Sequence, residues 1–166
     1  MQLYLLRHAK SSWDNPHQGD FDRPLNSRGK KAAPFMGQVM KERNICPDKI
    51  LCSPAKRTRE TLSLLLEASQ LDCPVDYVDG IYEASVGELR KILRKQKDGP
   101  GSILMIGHNP GMEGLFNDLT GDWERFPTAC LASISLNIKS WQDIEPRSGK
   151  QEWVLTPKGL KADSHS

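Results

Sequence analysis

Hydrophobic positions along this chain fall into short unbroken runs that alternate with longer periodic stretches, which predicts strands and helices in turn. Residues 3–6, Leu-Tyr-Leu-Leu, read as a buried strand. A polar loop follows over residues 12–24, carrying Trp13 and Phe21 without periodicity. From Asn26 onward, Ala32, Ala33, Phe35, Met36, Val39 and Met40 supply the apolar side of a helix. Pro34 is expected to kink that helix or delay its start. Residues 49–52 form a second strand, and Ser53-Pro54 then supplies an N-cap with proline at the first helical position. Leu62, Leu65 and Leu66 continue that helix as a stripe. A third strand is predicted at 75–78 and a helix at 87–97, with Leu89, Ile92 and Leu93 inward. Pro100-Gly101 ends it, residues 102–106 are the strongest strand pattern, and Pro110 marks another helix start. Residues 130–138 and 152–155 read as a closing pair of strands. The fold class is therefore α/β: a three-layer sandwich whose mostly parallel central sheet is flanked by helices, with an antiparallel edge from the closing pair.

The 166 residues suit one domain, taken as 1–160, followed by a polar, frayed tail at 161–166. A formal charge of +2, from 23 basic and 21 acidic residues, argues against a dedicated nucleic-acid binder. The basic stretch 90–97 has leucine and isoleucine at helical spacing and reads as an amphipathic helix with a solvated face. No apolar run is long enough to span a bilayer and no secretory signal opens the chain, so the cytoplasm is the expected compartment and a membrane is not an expected partner. Cys46, Cys52, Cys73 and Cys130 are scattered without zinc-site spacing and are expected to be inert thiols; no metal is implied.

Candidate chemistry sits at the strand ends. Arg7-His8, Ser53-Pro54-Ala55-Lys56-Arg57 and His108-Asn109-Pro110 each follow a predicted strand. Parallel strands carry all three to one edge of the sheet, where ligands bind in open α/β folds. Any one of these residues alone is an ordinary surface arginine or an idle histidine. Two guanidiniums, two imidazoles and helix N-termini gathered at one edge form an anion site, because such a cluster is costly without an anion. A guanidinium fork suits phosphate, and a neutral imidazole can act as nucleophile, so the combination points to phosphoryl transfer. Gly107 is expected to permit close backbone approach or an unusual φ.

The three clusters resemble the signatures of the histidine phosphatase superfamily, the phosphoglycerate-mutase-like fold. They appear here as Arg7-His8-Ala9, Ser53-Pro54-Ala55-Lys56-Arg57-Thr58 and Gly107-His108-Asn109-Pro110, with Arg23-Pro24-Leu25 and Gly29 extending the match. The small size and Arg-His-Ala-Lys-Ser look most like the SixA-type phosphohistidine phosphatases. The resemblance implies that His8 is the nucleophile and that Arg7, Arg57 and His108 hold the phosphoryl oxygens, with His108 protonated or donating. Arg23 and Ser11 are further candidates for substrate binding. Two departures stand out. Asp14 replaces a common asparagine, and since a carboxylate facing phosphate would be repelled, it is expected outside the pocket. Ala9 replaces glycine and should alter only local backbone freedom.

The leaving group separates the possible substrates. Expelling an alkoxide demands a general acid, and Glu83 matches the acid position of the mutase-like branch; a plain surface glutamate is the equal alternative. Expelling an imidazole demands less, since its free pKa of about 6.5 lets solvent protonate it. Phosphohistidine on a protein is thus the favoured substrate. A small phosphate ester hydrolysed with Glu83 as acid is the first alternative, and a non-catalytic phosphate-binding module the second. So short a chain leaves little material for a lid, and a shallow, open pocket is expected. Lys10, Arg23, Arg28, Lys30, Lys31 and Lys56 are candidates to rim it and steer an acidic phosphoprotein.

Overall fold

The computed structural model describes residues 1–164, with side chains to residue 161. Six strands form one sheet: β1 (Gln2–Arg7), β2 (Lys49–Cys52), β3 (Val75–Tyr77), β4 (Ser102–Gly107), β5 (Leu131–Leu136) and β6 (Gly149–Leu155). Their order is β3-β2-β4-β1-β5-β6. The pairs β3-β2, β2-β4 and β4-β1 are parallel, while β5 runs antiparallel to both β1 and β6. The helices are α1 (Ser27–Glu42), α2 (Lys56–Ser69), α3 (Val86–Arg94), α4 (Gly111–Thr120) and α5 (Pro157–Ser164).

Alternation along the central strands sorts side chains into two cores. Leu3 and Leu5 of β1, with Ile103 and Met105 of β4, pack against Leu89 and Leu93 of α3 and Leu115 and Phe116 of α4. Leu6, Leu104 and Ile106 face the other way, onto Ala33, Met36 and Met40 of α1 and Leu62 and Leu65 of α2. A strand buried on both faces needs apolar residues at every position, which is why residues 102–106 stand out so clearly. The result is three layers, helices on each side of a mixed, mostly parallel sheet. Among the described residues no helix is long and apolar enough to cross a membrane.

Three local expectations change. Ser53 does not cap α2; the helix begins at Lys56, and its N-cap, Ala55, makes no side-chain capping bond. Ser53 instead prolongs the β2 ladder, its N–H donating to the Ile106 carbonyl (3.0 Å). Pro34 sits inside α1 without delaying it, because the Asn26 side chain fixes the start by accepting from the Gly29 N–H (2.9 Å). The polar tail is also shorter than expected: residues 161–164 belong to α5, and 165–166 lie outside the described residues.

Candidate active site

The strand ends meet as their pairing requires. Arg7 lies opposite Gly107, and Cys52 opposite Ile106. The His8 N–H donates to the Gly107 carbonyl (3.1 Å), so the ladder continues one residue past each strand and delivers His8, Ser53 and His108 to one edge. A cavity of about 830 Å³ opens there. Residues of the 13–23 segment line one side of it and residues of 81–89 another.

His8 is 6% exposed. Its Nδ1 lies 2.6 Å from the Ala9 carbonyl. A carbonyl only accepts, so Nδ1 carries the proton and Nε2 keeps its lone pair. Burial, aided by the charges of Arg57, Arg7 and Arg23, lowers the His8 pKa to about 4 against the opposing Ala9 bond. The ring is therefore neutral at physiological pH, in the one tautomer that leaves Nε2 nucleophilic. Ala9, fully buried, adopts no left-handed backbone, so alanine is unstrained there.

The donors around it are only partly spent. Arg7 Nη1 donates to the Phe126 carbonyl (2.9 Å). Arg57 Nη1 donates to the Asp20 carbonyl (2.7 Å) and Nη2 to the Asp20 carboxylate (3.1 Å). Three buried nitrogens, Arg7 Nε, Arg57 Nε and His108 Nδ1, have no partner among the described residues. Unpaired polar atoms are rare in protein interiors, and these three belong to residues that line one cavity. His108 approaches Ser53 through Nε2 (2.7 Å). Burial first, and then Arg57, press its pKa down to about 3, so it is neutral rather than protonated. Either Nε2 or the Ser53 hydroxyl can donate in that contact, and Nδ1 carries the ring proton when the hydroxyl is the donor.

Arg23 and Ser11 both line the cavity, and Arg23 Nη1 donates to Ser11 Oγ (2.9 Å). The Arg23 guanidinium also lies 3.4 Å from the centre of the Trp13 ring. Glu83, exposed and with φ of 57°, stands on the cavity wall beside Tyr82. Of the proposed cationic rim, Lys10 and Arg23 line the cavity, whereas Arg28, Lys30, Lys31 and Lys56 do not. On the basic stretch 90–97, Arg90 pairs with Asp118 (2.8 Å) and Arg94 donates to the Ile144 carbonyl, as an amphipathic helix would have it. Burial pushes the Cys52 and Cys130 thiols up to about 12.

Asp14 is exposed and outside the lining, as expected, but another carboxylate, Asp20, lines the cavity. Asp20 Oδ1 accepts from Arg23 Nε (3.0 Å), and Oδ2 accepts from Arg57 and from the Tyr82 hydroxyl (2.6 Å). Burial works against its charge, but the Tyr82 bond and both arginines prevail and hold its pKa at about 2. The Asp20–Arg23 spacing, one helical turn, was the signal available for this pair. Tyr82 and Thr128 line the cavity without any signal in the sequence pattern.

A strand-end cavity with a neutral imidazole, two guanidiniums and unspent donors defines an enzyme of phosphoryl transfer. The chain belongs to the histidine phosphatase superfamily (branch 1), whose family model matches residues 3–100, and it is a phosphatase of that superfamily. It is 33% identical over 174 residues to an uncharacterised chloroplastic protein of Arabidopsis thaliana, covering 99% of this chain and 79% of that one. Among solved structures it is similar to a protein from Agrobacterium tumefaciens assigned to the phosphohistidine phosphatases as SixA, with 29% identity, a TM-score of 0.81 and coverage of 94% and 97%. It also shares the fold of the protein histidine phosphatase SixA complexed with tungstate, at 24% identity, a TM-score of 0.84 and coverage of 96% and 99%.

Proposed function

We propose that this phosphatase hydrolyses phosphohistidine on a protein by way of a phosphoryl group carried on His8 Nε2. The observation that carries the reading is the Nδ1 bond to the Ala9 carbonyl, which makes Nε2 the only ring nitrogen with a lone pair to offer. In the first step Nε2 attacks phosphorus, the substrate P–N bond breaks, and the leaving imidazole takes a proton from solvent. In the second, water attacks phosphorus, the bond to Nε2 breaks, and inorganic phosphate departs with His8 neutral again. Arg7, Arg57 and His108 supply charge and hydrogen bonds to the three oxygens on which negative charge gathers. The likeness to a SixA held with tungstate, a tetrahedral oxyanion, supports a site of this shape.

Glu83 on the cavity wall favours a second activity, hydrolysis of small phosphate esters with Glu83 protonating the alkoxide. Turnover of a phosphohistidine protein and of an alkyl phosphate, compared in wild type and Glu83→Gln, separates the two. The expected result is faster wild-type turnover of the phosphohistidine protein and loss of the alkyl activity alone in the variant. Wild-type preference for the alkyl ester would remove the phosphohistidine assignment; equal losses on both substrates would remove the general-acid role.

A further inference from the structure

Asp20 puts a negative charge where a phosphatase expects to receive one. Its side chain is 43% exposed, so it is not locked in by packing. What holds it is a set of bonds to cavity residues: Arg23 Nε on one oxygen, Arg57 Nη2 and Tyr82 on the other, with Arg57 Nη1 on its backbone carbonyl. Its charge is also felt at His108, where it opposes the effect of the arginines. Both terminal nitrogens of Arg57 are thus engaged by one residue.

We infer that Asp20 is an internal competing anion, a specificity-determining residue that shares Arg57 and Arg23 with the substrate and sets which anions bind. The inference rests on the reading that a phosphoryl group binds beside Arg57. A carboxylate bears one negative charge. An incoming monoanion that displaces it from the guanidiniums, or sits beside it, gains little net attraction. A phosphoryl dianion carries twice the charge and outbids it. The site therefore favours a terminal phosphoryl group over a phosphodiester or a carboxylate, and the same competition lets inorganic phosphate leave after hydrolysis.

The geometry makes the opposite sign available to experiment. A residue that merely aimed Arg57 would, on removal, weaken phosphate binding; a competitor would strengthen it. Calorimetric titration with inorganic phosphate at pH 8 and with dimethyl phosphate, a tetrahedral monoanion, is applied to wild type, Asp20→Asn and Asp20→Ala. Phosphate is expected to bind about tenfold more tightly to both variants, a change of about 1.4 kcal/mol. The preference for phosphate over dimethyl phosphate should narrow, with product inhibition rising in step. Phosphate affinity in both variants equal to or below that of wild type overturns the inference while leaving the site intact. No phosphate binding by any of the three proteins overturns the site itself and the inference with it.

Discussion

A single hydrogen bond decides what His8 can do. Because the Ala9 carbonyl holds the Nδ1 proton and burial with the arginines keeps the ring neutral to about pH 4, the acid limb of kcat/KM should fall near 4 and not at the ordinary imidazole value of about 6.5. The sign follows from the role: protonation removes the lone pair, so activity is lost as pH falls through that value. A limb at 6.5 on a substrate with no titration in that range would contradict the neutral-ring account. Removing a donor acts on the barrier instead. Arg57→Ala is expected to lower kcat by about two to three powers of ten, equivalent to about 3–4 kcal/mol, as for other preorganised anion sites. At this scale the sequence was informative about Arg7, His8 and His108, which sit at strand ends, and about Arg57, in the first turn of the helix that follows β2, because topology fixes their places. It was silent on protonation, since the pKa of His108 depends on burial and on Arg57, distant in the chain and near it in the fold. Asp20 drew no notice in the sequence, because what stabilises its charge in the cavity, two arginines and a tyrosine, comes together only in the fold.

Among elements, the segment between β1 and α1 is the least regular and the most consequential. It is anchored where Ser11 bridges Leu25 and where the Ser12 N–H donates to the Pro24 carbonyl (2.8 Å). Gly29 makes the anchor possible, since a Cβ there would stand 2.1 Å from the Lys10 carbonyl oxygen. Gly29→Ala must push α1 away from Lys10 and Ser11, both on the cavity wall. The expected outcome is a Tm lower by about 5 °C or more together with reduced kcat/KM, read by thermal melts and steady-state kinetics. A melt and a rate both unchanged would show that the backbone yields there without cost. Gly107 has a related reason: it has no positive φ, and a Cβ would come within 2.9 Å of Met112 and 3.1 Å of Ile81. The doubly buried strands were legible from their unbroken apolar runs. The wall formed by residues 13–23 was not, because its order comes from side-chain bonds such as Arg23 to Ser11 and not from any periodic pattern.

For the whole molecule, the two buried imidazoles leave a mark on stability. His8 and His108 titrate near 4 and 3 in the folded protein and near 6.5 in the unfolded chain. Between those values the unfolded chain binds protons that the native rings refuse, so stability falls as pH drops below about 6.5. Asp20, held at about 2 in the fold against 3.8 unperturbed, extends the decline in the same direction below pH 4. Thermal melts from pH 7.5 to 4.5 should show Tm falling, with a shallower fall in a His8→Gln, His108→Gln double variant. An equal slope in both proteins would mean that the two rings are not the source. Phosphate bound at the site should offset part of the loss, since a ligand that binds only the native state stabilises it.

The most direct test of the account is to identify the atom that holds phosphate during turnover. Rapid mixing with a phosphohistidine protein, alkaline quenching and mass-spectrometric mapping should find a transient phosphoryl group on His8, absent in His8→Ala. Phosphate carried on another residue, an intermediate that survives in His8→Ala, or isotopically chiral phosphate released with inversion at phosphorus, the mark of a single displacement, would contradict it.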